Sequence, residues 1–150
     1  MPVMELGHLV LYVRNLERSA AFYGDVLGWD VAFPVTLGIP AAAFTSGRTH
    51  HELLLIEVGE HAAAVPAGRR LGLYHFGLKV GDSDDELRAM LARLEQSDVT
   101  IVGASDHTVT HSLYILDPDG NEVELYIDVP GVDWRGDPDL IMAPIRPLAL

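Results

Sequence analysis

Histidine and glutamate residues recur at matched positions in the two halves of this 150-residue sequence. A shift of 67 positions superposes His8 on His75 and Glu57 on Glu124. Because each of these residues lies on a segment of alternating polarity, we expect their side chains to share one face of a sheet. Two histidines and one carboxylate suit Fe(II) with open positions, and a further carboxylate suits Zn, Ni or Mn. The repeat therefore predicts a centre for a divalent transition metal.

The elements that carry these residues follow one plan twice: a strand, a helix and three further strands. Asn15 is the predicted N-cap of the first helix. Ser83 with Glu86 predicts a capping box at the second helix. Residues 117–120, Asp-Pro-Asp-Gly, predict a tight turn between the last two strands. We therefore divide one domain, 1–150, into four parts: module one (5–58), a connector (59–72), module two (73–128) and a C-terminal tail (129–150).

The composition excludes several classes of protein. Ten basic and 22 acidic residues give a net charge of −12, which repels phosphate backbones and predicts no nucleic-acid partner. Cysteine is absent, so disulfide scaffolds, thiolate metal sites and cysteine nucleophiles are excluded. No apolar run approaches the roughly 18 residues of a membrane span, and no secretory signal is evident. We therefore expect a cytoplasmic protein that acts on a small molecule and has no membrane partner.

Three segments carry a resemblance to a known family: HLVLYV at 8–13, GLYHF at 72–76, and YILDPDGN at 114–121 leading into Glu124. The sequence resembles the vicinal oxygen chelate superfamily, which includes glyoxalase I, extradiol dioxygenases, and fosfomycin and bleomycin resistance proteins. The resemblance implies an α+β fold in which two βαβββ modules form a cupped, eight-stranded mixed sheet with helices on the outside. It also implies that His8, His75 and Glu124 hold one divalent metal.

Within the superfamily, the chain resembles catechol 2,3-dioxygenases, in particular the N-terminal module pair of the two-domain enzymes. This resemblance implies Fe(II) or Mn(II) as the metal and a catechol-like or other vicinal-oxygen substrate. It also implies two catalytic residues. His51, at the start of the fourth strand, is the expected acid–base group. Tyr114, ten positions before Glu124, is the expected hydrogen-bond donor to the substrate.

A glyoxalase- or epimerase-type isomerase is the alternative. The spacing from His8 through Glu57 and His75 to Glu124 is 49, 18 and 49 positions, which resembles glyoxalase I. Glu57 then becomes a fourth ligand, and Ni(II) or Zn(II) is the expected metal. A second alternative is a protein that sequesters a drug or another ligand without turnover. The intact ligand set argues against it, since antibiotic-sequestering relatives generally lack these ligands.

Strand parity predicts which side chains line the cup. Four residues are expected there: Val10, Tyr12, Leu53 and Leu55. We interpret His107 and His111 as loop residues near the mouth of the cup, and Trp134 as an anchor of the tail. Relatives either pair their modules within one chain or exchange them across a dimer, and we expect a homodimer.

Overall fold

The computed structural model describes residues 2–36, 38 and 40–150, in two compact units, Met1–Ala64 and Val65–Leu150. Unit 1 contains module one, and unit 2 contains module two and the tail. Each unit runs strand, helix and three strands, so the predicted α+β fold of two βαβββ modules is confirmed. The described strands form two sheets, of four and five strands, where we predicted one sheet of eight. No helix in the described ranges is long and apolar enough to cross a membrane.

Unit 1 is a four-stranded sheet with one helix packed on it. Its elements are β1 (Leu9–Val13), α1 (Leu16–Ala21) continuing as a π-helical turn (Phe22–Val26), β2 (Asp30–Thr36), β3 (Pro40–Thr45) and β4 (Leu53–Glu57). The strand order is β1-β4-β3-β2, with β1 parallel to β4 and the other neighbours antiparallel. Asn15 caps α1 as predicted, because its Oδ1 accepts a hydrogen bond from the Arg18 backbone N–H at 2.8 Å.

The core of unit 1 forms on the face of the sheet that α1 covers. Alternate residues of β1 and β4 reach it, together with aromatic side chains from the helical turn and β3. The largest buried residues there are Leu11, Val13, Phe22, Tyr23, Phe44, Leu53 and Leu55. The intervening residues of β1 point to the other face, where Val10 is 43% and Tyr12 71% exposed. We call this uncovered side of each sheet its open face.

Unit 2 repeats the plan and adds a strand from the tail. Its elements are β5 (His75–Gly81), α2 (Asp84–Gln96), β6 (Ile101–Asp106), β7 (Thr110–Leu116), β8 (Glu122–Asp128), a 3-10 helix (Pro138–Met142) and β9 (Arg146–Pro147). The strand order is β5-β8-β7-β6-β9, with only β5 and β8 parallel. The C-terminal tail therefore extends the sheet at the edge of β6.

Local signals position the ends of α2 and β8 as predicted. The Ser83 side chain accepts from the Glu86 backbone N–H, and the Glu86 carboxylate accepts in return from the Ser83 hydroxyl. Between β7 and β8, Asp117 Oδ1 accepts from the backbone N–H groups of Asp119 and Asn121, at 3.0 and 2.8 Å. Gly120 completes this turn with φ of 89°, a conformation that favours glycine. The turn fixes the register in which β8 returns alongside β7.

Candidate metal centre

The open face of unit 2 carries a compact polar network. In β8, Val123, Leu125 and Ile127 are buried on the α2 side, so Glu122 and Glu124 project from the open face. The pairing register places Gly77 of β5 and Tyr114 of β7 beside Glu124. A Cβ at Gly77 would lie 3.3 Å from the Tyr126 ring and 3.7 Å from Glu124 Oε2. The glycine therefore leaves space beside the carboxylate.

His75 and Glu124 lie close together in this network. His75 Nε2 is 3.2 Å from Glu124 Oε2. The other carboxylate oxygen, Oε1, accepts from the Ser112 hydroxyl at 2.6 Å and from the Tyr114 hydroxyl at 3.3 Å. These bonds hold Glu124 with its free oxygen, Oε2, beside His75 Nε2. An imidazole nitrogen and a held carboxylate oxygen are suitable ligands for a divalent metal.

The second nitrogen of His75 also fits a metal ligand. His75 Nδ1 is buried and has no hydrogen-bond partner among the described residues. Glu122 Oε1 is the nearby carboxylate, at 3.6 Å. Ligating histidines commonly direct their other ring N–H at a carboxylate, which fixes the tautomer and the ring orientation. Glu122 is placed for that role, and sequence reasoning did not identify it.

Tyr114 connects Glu124 to a second histidine. Its hydroxyl lies 2.7 Å from His107 Nε2. Burial, reinforced by the negative charge of Glu124, raises the pKa of Tyr114 to about 12. The phenol therefore stays protonated near neutral pH and remains a hydrogen-bond donor.

His107 reaches the network because the link from β6 to β7 is tight. Asp106 Oδ1 accepts from the Thr108 backbone N–H at 2.7 Å, and Thr108 adopts φ of 70°. We interpreted His107 from sequence as a loop residue near the mouth of the cup, and it lies in the loop between β6 and β7. His111, which we expected near it, instead lies with its Nδ1 2.6 Å from Asp84 Oδ1 at the start of α2.

Three histidines cluster in unit 1. His8, just before β1, has its ring centroid 4.7 Å from that of His51. His50 also joins the cluster, with its Nδ1 2.6 Å from His51 Nδ1. Burial, and then the proximity of His50 and His8, lowers the pKa of His51. A neutral imidazole of this kind can accept a proton near neutral pH.

Glu57, Leu53 and Leu55 lie on the opposite side of β4 from the one we predicted. Both leucines are buried in the core, with exposures of 1% and 0%, and do not line an open face. The Glu57 carboxylate accepts a hydrogen bond from the Leu16 backbone N–H, 2.8 Å away at the start of α1. An acceptor at this position stabilises a helix N-terminus. The structure therefore gives Glu57 a helix-capping contact in place of the predicted ligand position.

The error has a definite origin in strand register. Leu9, one residue after His8, pairs with Leu53, which is 44 positions later. Phe76, one residue after His75, pairs with Val123, which is 47 positions later. Module two thus has three more residues between its first and last strands, and the residue of β4 that corresponds to Glu124 is Leu54. Glu57 corresponds to the buried Ile127.

The remaining predicted residues belong to different units. His8, His51, Val10 and Tyr12 lie in unit 1, whereas His75, Tyr114 and Glu124 lie in unit 2. Within the described ranges, no three histidine or carboxylate side chains are arranged to hold a metal ion. The ligand set of His8, His75 and Glu124 and the substrate contacts of Val10 and Tyr12 therefore stay predictions.

Comparison with known proteins identifies the family. The sequence model of the Glyoxalase/Bleomycin resistance protein/Dioxygenase superfamily matches residues 5–125. The chain belongs to this superfamily. Its fold agrees, since a crystallised glyoxylase/bleomycin resistance protein/dioxygenase domain from Frankia sp. EAN1pec superposes with a TM-score of 0.70 at 19% identity. The superposition covers 85% of this chain and 99% of that one.

Relatives within the superfamily differ in their chemistry. Catechol-2,3-dioxygenase from Bacillus subtilis (strain 168) is 37% identical over 132 residues, which cover 88% of this chain and 44% of that enzyme. The chain thus spans less than half the length of this relative. Glutathione transferase FosA from Serratia marcescens is 30% identical over 125 residues, which cover 83% of this chain and 82% of that protein. The family is therefore established, and a divalent metal and a small-molecule substrate are consistent with it.

Proposed function

We propose that this superfamily member is a metal-dependent enzyme of the extradiol dioxygenase type. The observation that carries the proposal is the close grouping of His75, Glu124 and Tyr114 on the open face of unit 2, with His75 Nε2 3.2 Å from Glu124 Oε2 and Tyr114 hydrogen-bonded to Oε1. The identity to a catechol-2,3-dioxygenase supports it. The substrate is an aromatic ring with two vicinal hydroxyl groups.

His75 Nε2 and Glu124 Oε2 are proposed as two ligands of Fe(II) or Mn(II). The repeat supplies His8 as the third ligand, from the same chain or from a second copy in a homodimer. Two histidines and one carboxylate leave positions open for two substrate oxygens and dioxygen. Such a metal, when bound, supplies Lewis-acid binding of both substrate oxygens. The Ser112 and Tyr114 bonds to Oε1 hold the carboxylate in place for that role.

Two further side chains are assigned to proton handling. Tyr114 remains protonated, and its single O–H, which donates to Glu124 Oε1 in this structure, turns to a substrate oxygen when substrate binds. Ser112 then holds the Glu124 carboxylate, and His107 orients the Tyr114 hydroxyl. His51, whose lowered pKa favours the neutral imidazole, accepts a proton from a substrate hydroxyl. The cluster with His8 supports this assignment, since the ring of this proposed ligand lies 4.7 Å from that of His51, measured between centroids.

The isomerase alternative loses its main support. It requires Glu57 as a fourth ligand, and the bond from Leu16 N–H holds that carboxylate at the start of α1. Occupation of a fourth protein position would also remove a site that a dioxygenase needs for substrate or oxygen. The geometry therefore favours three protein ligands.

Oxygen uptake tests the proposal directly. The protein is purified anaerobically, analysed for metal, and supplied with a panel of catechols while oxygen consumption and the ring-opened product are followed. We expect stoichiometric metal and oxygen consumption, both lost in Glu124→Gln. Glu95→Gln, on the exposed end of α2, makes the same chemical change and is expected to retain both. Absence of oxygen uptake by metal-loaded protein on every diol, or glutathione addition in its place, would overturn the proposal.

A further inference from the structure

A groove of about 540 Å³ lies on unit 2, between the open face of its sheet and the C-terminal tail. Glu124, Tyr126 and Asp128 are among its walls on the sheet side, and Trp134 and Arg135 are among its walls on the tail side. Because Glu124 lines the groove, the groove gives access to a proposed metal ligand. Trp134, interpreted from sequence as an anchor, is 37% exposed and forms part of the wall.

The Arg135 guanidinium lies over the indole ring of Trp134. Its guanidinium carbon lies 4.1 Å from the centroid of the indole ring, within the range of a cation–π contact. The backbone here is a tight turn, in which Asp133 Oδ1 accepts from the Gly136 N–H at 3.0 Å. Gly136 leaves room for the Asp133 carboxylate, which a Cβ at this position would displace. A guanidinium carries five N–H donors, and those not directed at the indole ring are available for a planar anion.

The other charges of the groove have partners, whereas Arg135 has no anionic one. Asp128 is paired with Lys79, whose Nζ is 2.8 Å away. Glu124 is hydrogen-bonded by Ser112 and Tyr114. Among the described residues, no carboxylate lies within ion-pair distance of Arg135. Arg135 is exposed at the wall of the groove, so its guanidinium is available to an anion from outside the chain.

We propose that Arg135 recognises a carboxylate on the substrate, so that the preferred substrate is an aromatic vicinal diol that also bears a carboxylate. The inference rests on the proposed function for the diol and on the groove for the carboxylate. The planar fork of an arginine matches a carboxylate with two parallel hydrogen bonds. Tyr126 and Trp134, which also line the groove, offer apolar surface for the aromatic ring.

Calorimetric titration under anaerobic conditions, with Mn(II)-loaded protein, tests the proposal. The ligands are 3,4-dihydroxybenzoate, its uncharged counterpart 4-methylcatechol, and 4-hydroxybenzoate, which has the carboxylate but no vicinal diol. We expect Arg135→Gln to raise the Kd of both carboxylates about tenfold, as expected for the loss of a charge-assisted hydrogen bond at an exposed site. The Kd of 4-methylcatechol is expected to stay within about twofold. Arg135→Lys should fall between wild type and Arg135→Gln.

Arg70→Gln, exposed in the connector, removes the same charge and is expected to change no Kd. The inference would be overturned if Arg135→Gln raised the Kd of charged and uncharged ligands equally, or raised neither. It would also be overturned if the wild-type protein bound no carboxylate. The proposed function fails separately. If 4-hydroxybenzoate binds in an Arg135-dependent way while no diol is cleaved, carboxylate recognition by Arg135 stands and the dioxygenase does not. If diols are cleaved and Arg135→Gln leaves carboxylate selectivity unchanged, the dioxygenase stands and the inference does not.

Discussion

The two units share one strand plan but differ in what their open faces carry. In unit 1, the residues of β1 and β4 at this face include Val10, Tyr12 and Leu54. The corresponding positions of unit 2 are Gly77, Lys79 and Glu124. Unit 1 thus presents mainly apolar side chains along these two strands, whereas unit 2 presents a hydrogen-bonded polar network.

The core faces, in contrast, are alike. Leu53 and Leu55 of β4 correspond to Val123 and Leu125 of β8, and all four are buried. Burial of apolar surface against a helix constrains this side in both units. The open face carries no such constraint, so polar residues can replace apolar ones there without loss of the fold. Buried contacts on the helix-covered face of each sheet therefore stabilise the fold, whereas the proposed site residues of unit 2 lie on the open face.

The two last-strand glutamates give the largest contrast. Glu124→Ala is expected to weaken Mn(II) binding by a hundredfold or more, since it removes a directly coordinating group, and outer-shell losses alone cost about ten- to a hundredfold. Glu57→Ala should leave the metal affinity within about twofold, because the Glu57 carboxylate contacts α1. Competition titration against a metal indicator measures both. A similar loss in the two variants would restore Glu57 as a ligand.

The two faces of unit 1 should respond differently to truncation. Leu55→Ala removes a fully buried side chain, so the free energy of unfolding should fall by about 2–5 kcal/mol. Tyr12→Ala, at a side chain that is 71% exposed, should change it by no more than about 0.5 kcal/mol. Urea denaturation followed by circular dichroism provides the comparison. A loss below about 1 kcal/mol for Leu55→Ala would contradict its assignment to the core.

The tyrosine on the open face of unit 2 tests the proposed donor. Tyr114→Phe should lower kcat for a cleaved diol by about ten- to a hundredfold, as expected when a hydrogen bond to a charged oxygen is lost. Tyr23→Phe removes the same hydroxyl from a side chain buried in the core of unit 1 and should leave kcat unchanged. Steady-state oxygen uptake, with thermal unfolding as a check on folding, measures both variants. Unchanged turnover in Tyr114→Phe would leave Tyr114 with a structural role only, as a hydrogen-bond partner of Glu124.

The smallest expected effect concerns the helix cap in unit 1. Glu57→Ala leaves the Leu16 N–H without its acceptor, so the free energy of unfolding should fall by about 1 kcal/mol, the usual cost of a lost N-terminal cap. Glu17 is exposed in the first turn of α1, where its charge interacts with the helix dipole. Glu17→Ala should therefore lower the free energy of unfolding by only about 0.3 kcal/mol. Thermal unfolding of both variants makes the comparison. Identical stability of Glu57→Ala and wild type would show that the cap contributes nothing.

Features that depend on neighbours in sequence were predictable. The Asn15 cap, the Ser83–Glu86 capping box and the turn at residues 117–120 each follow from side chains within four positions of the backbone they satisfy. Alternation also predicted correctly that Tyr12 points away from the core and that Glu124 shares the open face with His75. The contact of His107 with Tyr114 was not predicted, because the chain turns there through a left-handed residue, Thr108, which no periodicity signals.

Sequence alone was sufficient to predict the duplicated plan of strands and helices, the superfamily, and the recurrence of histidines and glutamates. The glutamate that lies beside a histidine could be identified only from the three-dimensional structure. A constant shift along the chain assigned Glu57 and Glu124 to the same role, whereas the strand pairing offsets the two modules by three residues. Side chains alternate between faces with each residue of a strand, so an odd offset moves a carboxylate from the open face to the helix side. Register depends on hydrogen bonds between strands more than 40 positions apart, and that information lies in the fold rather than in any local segment.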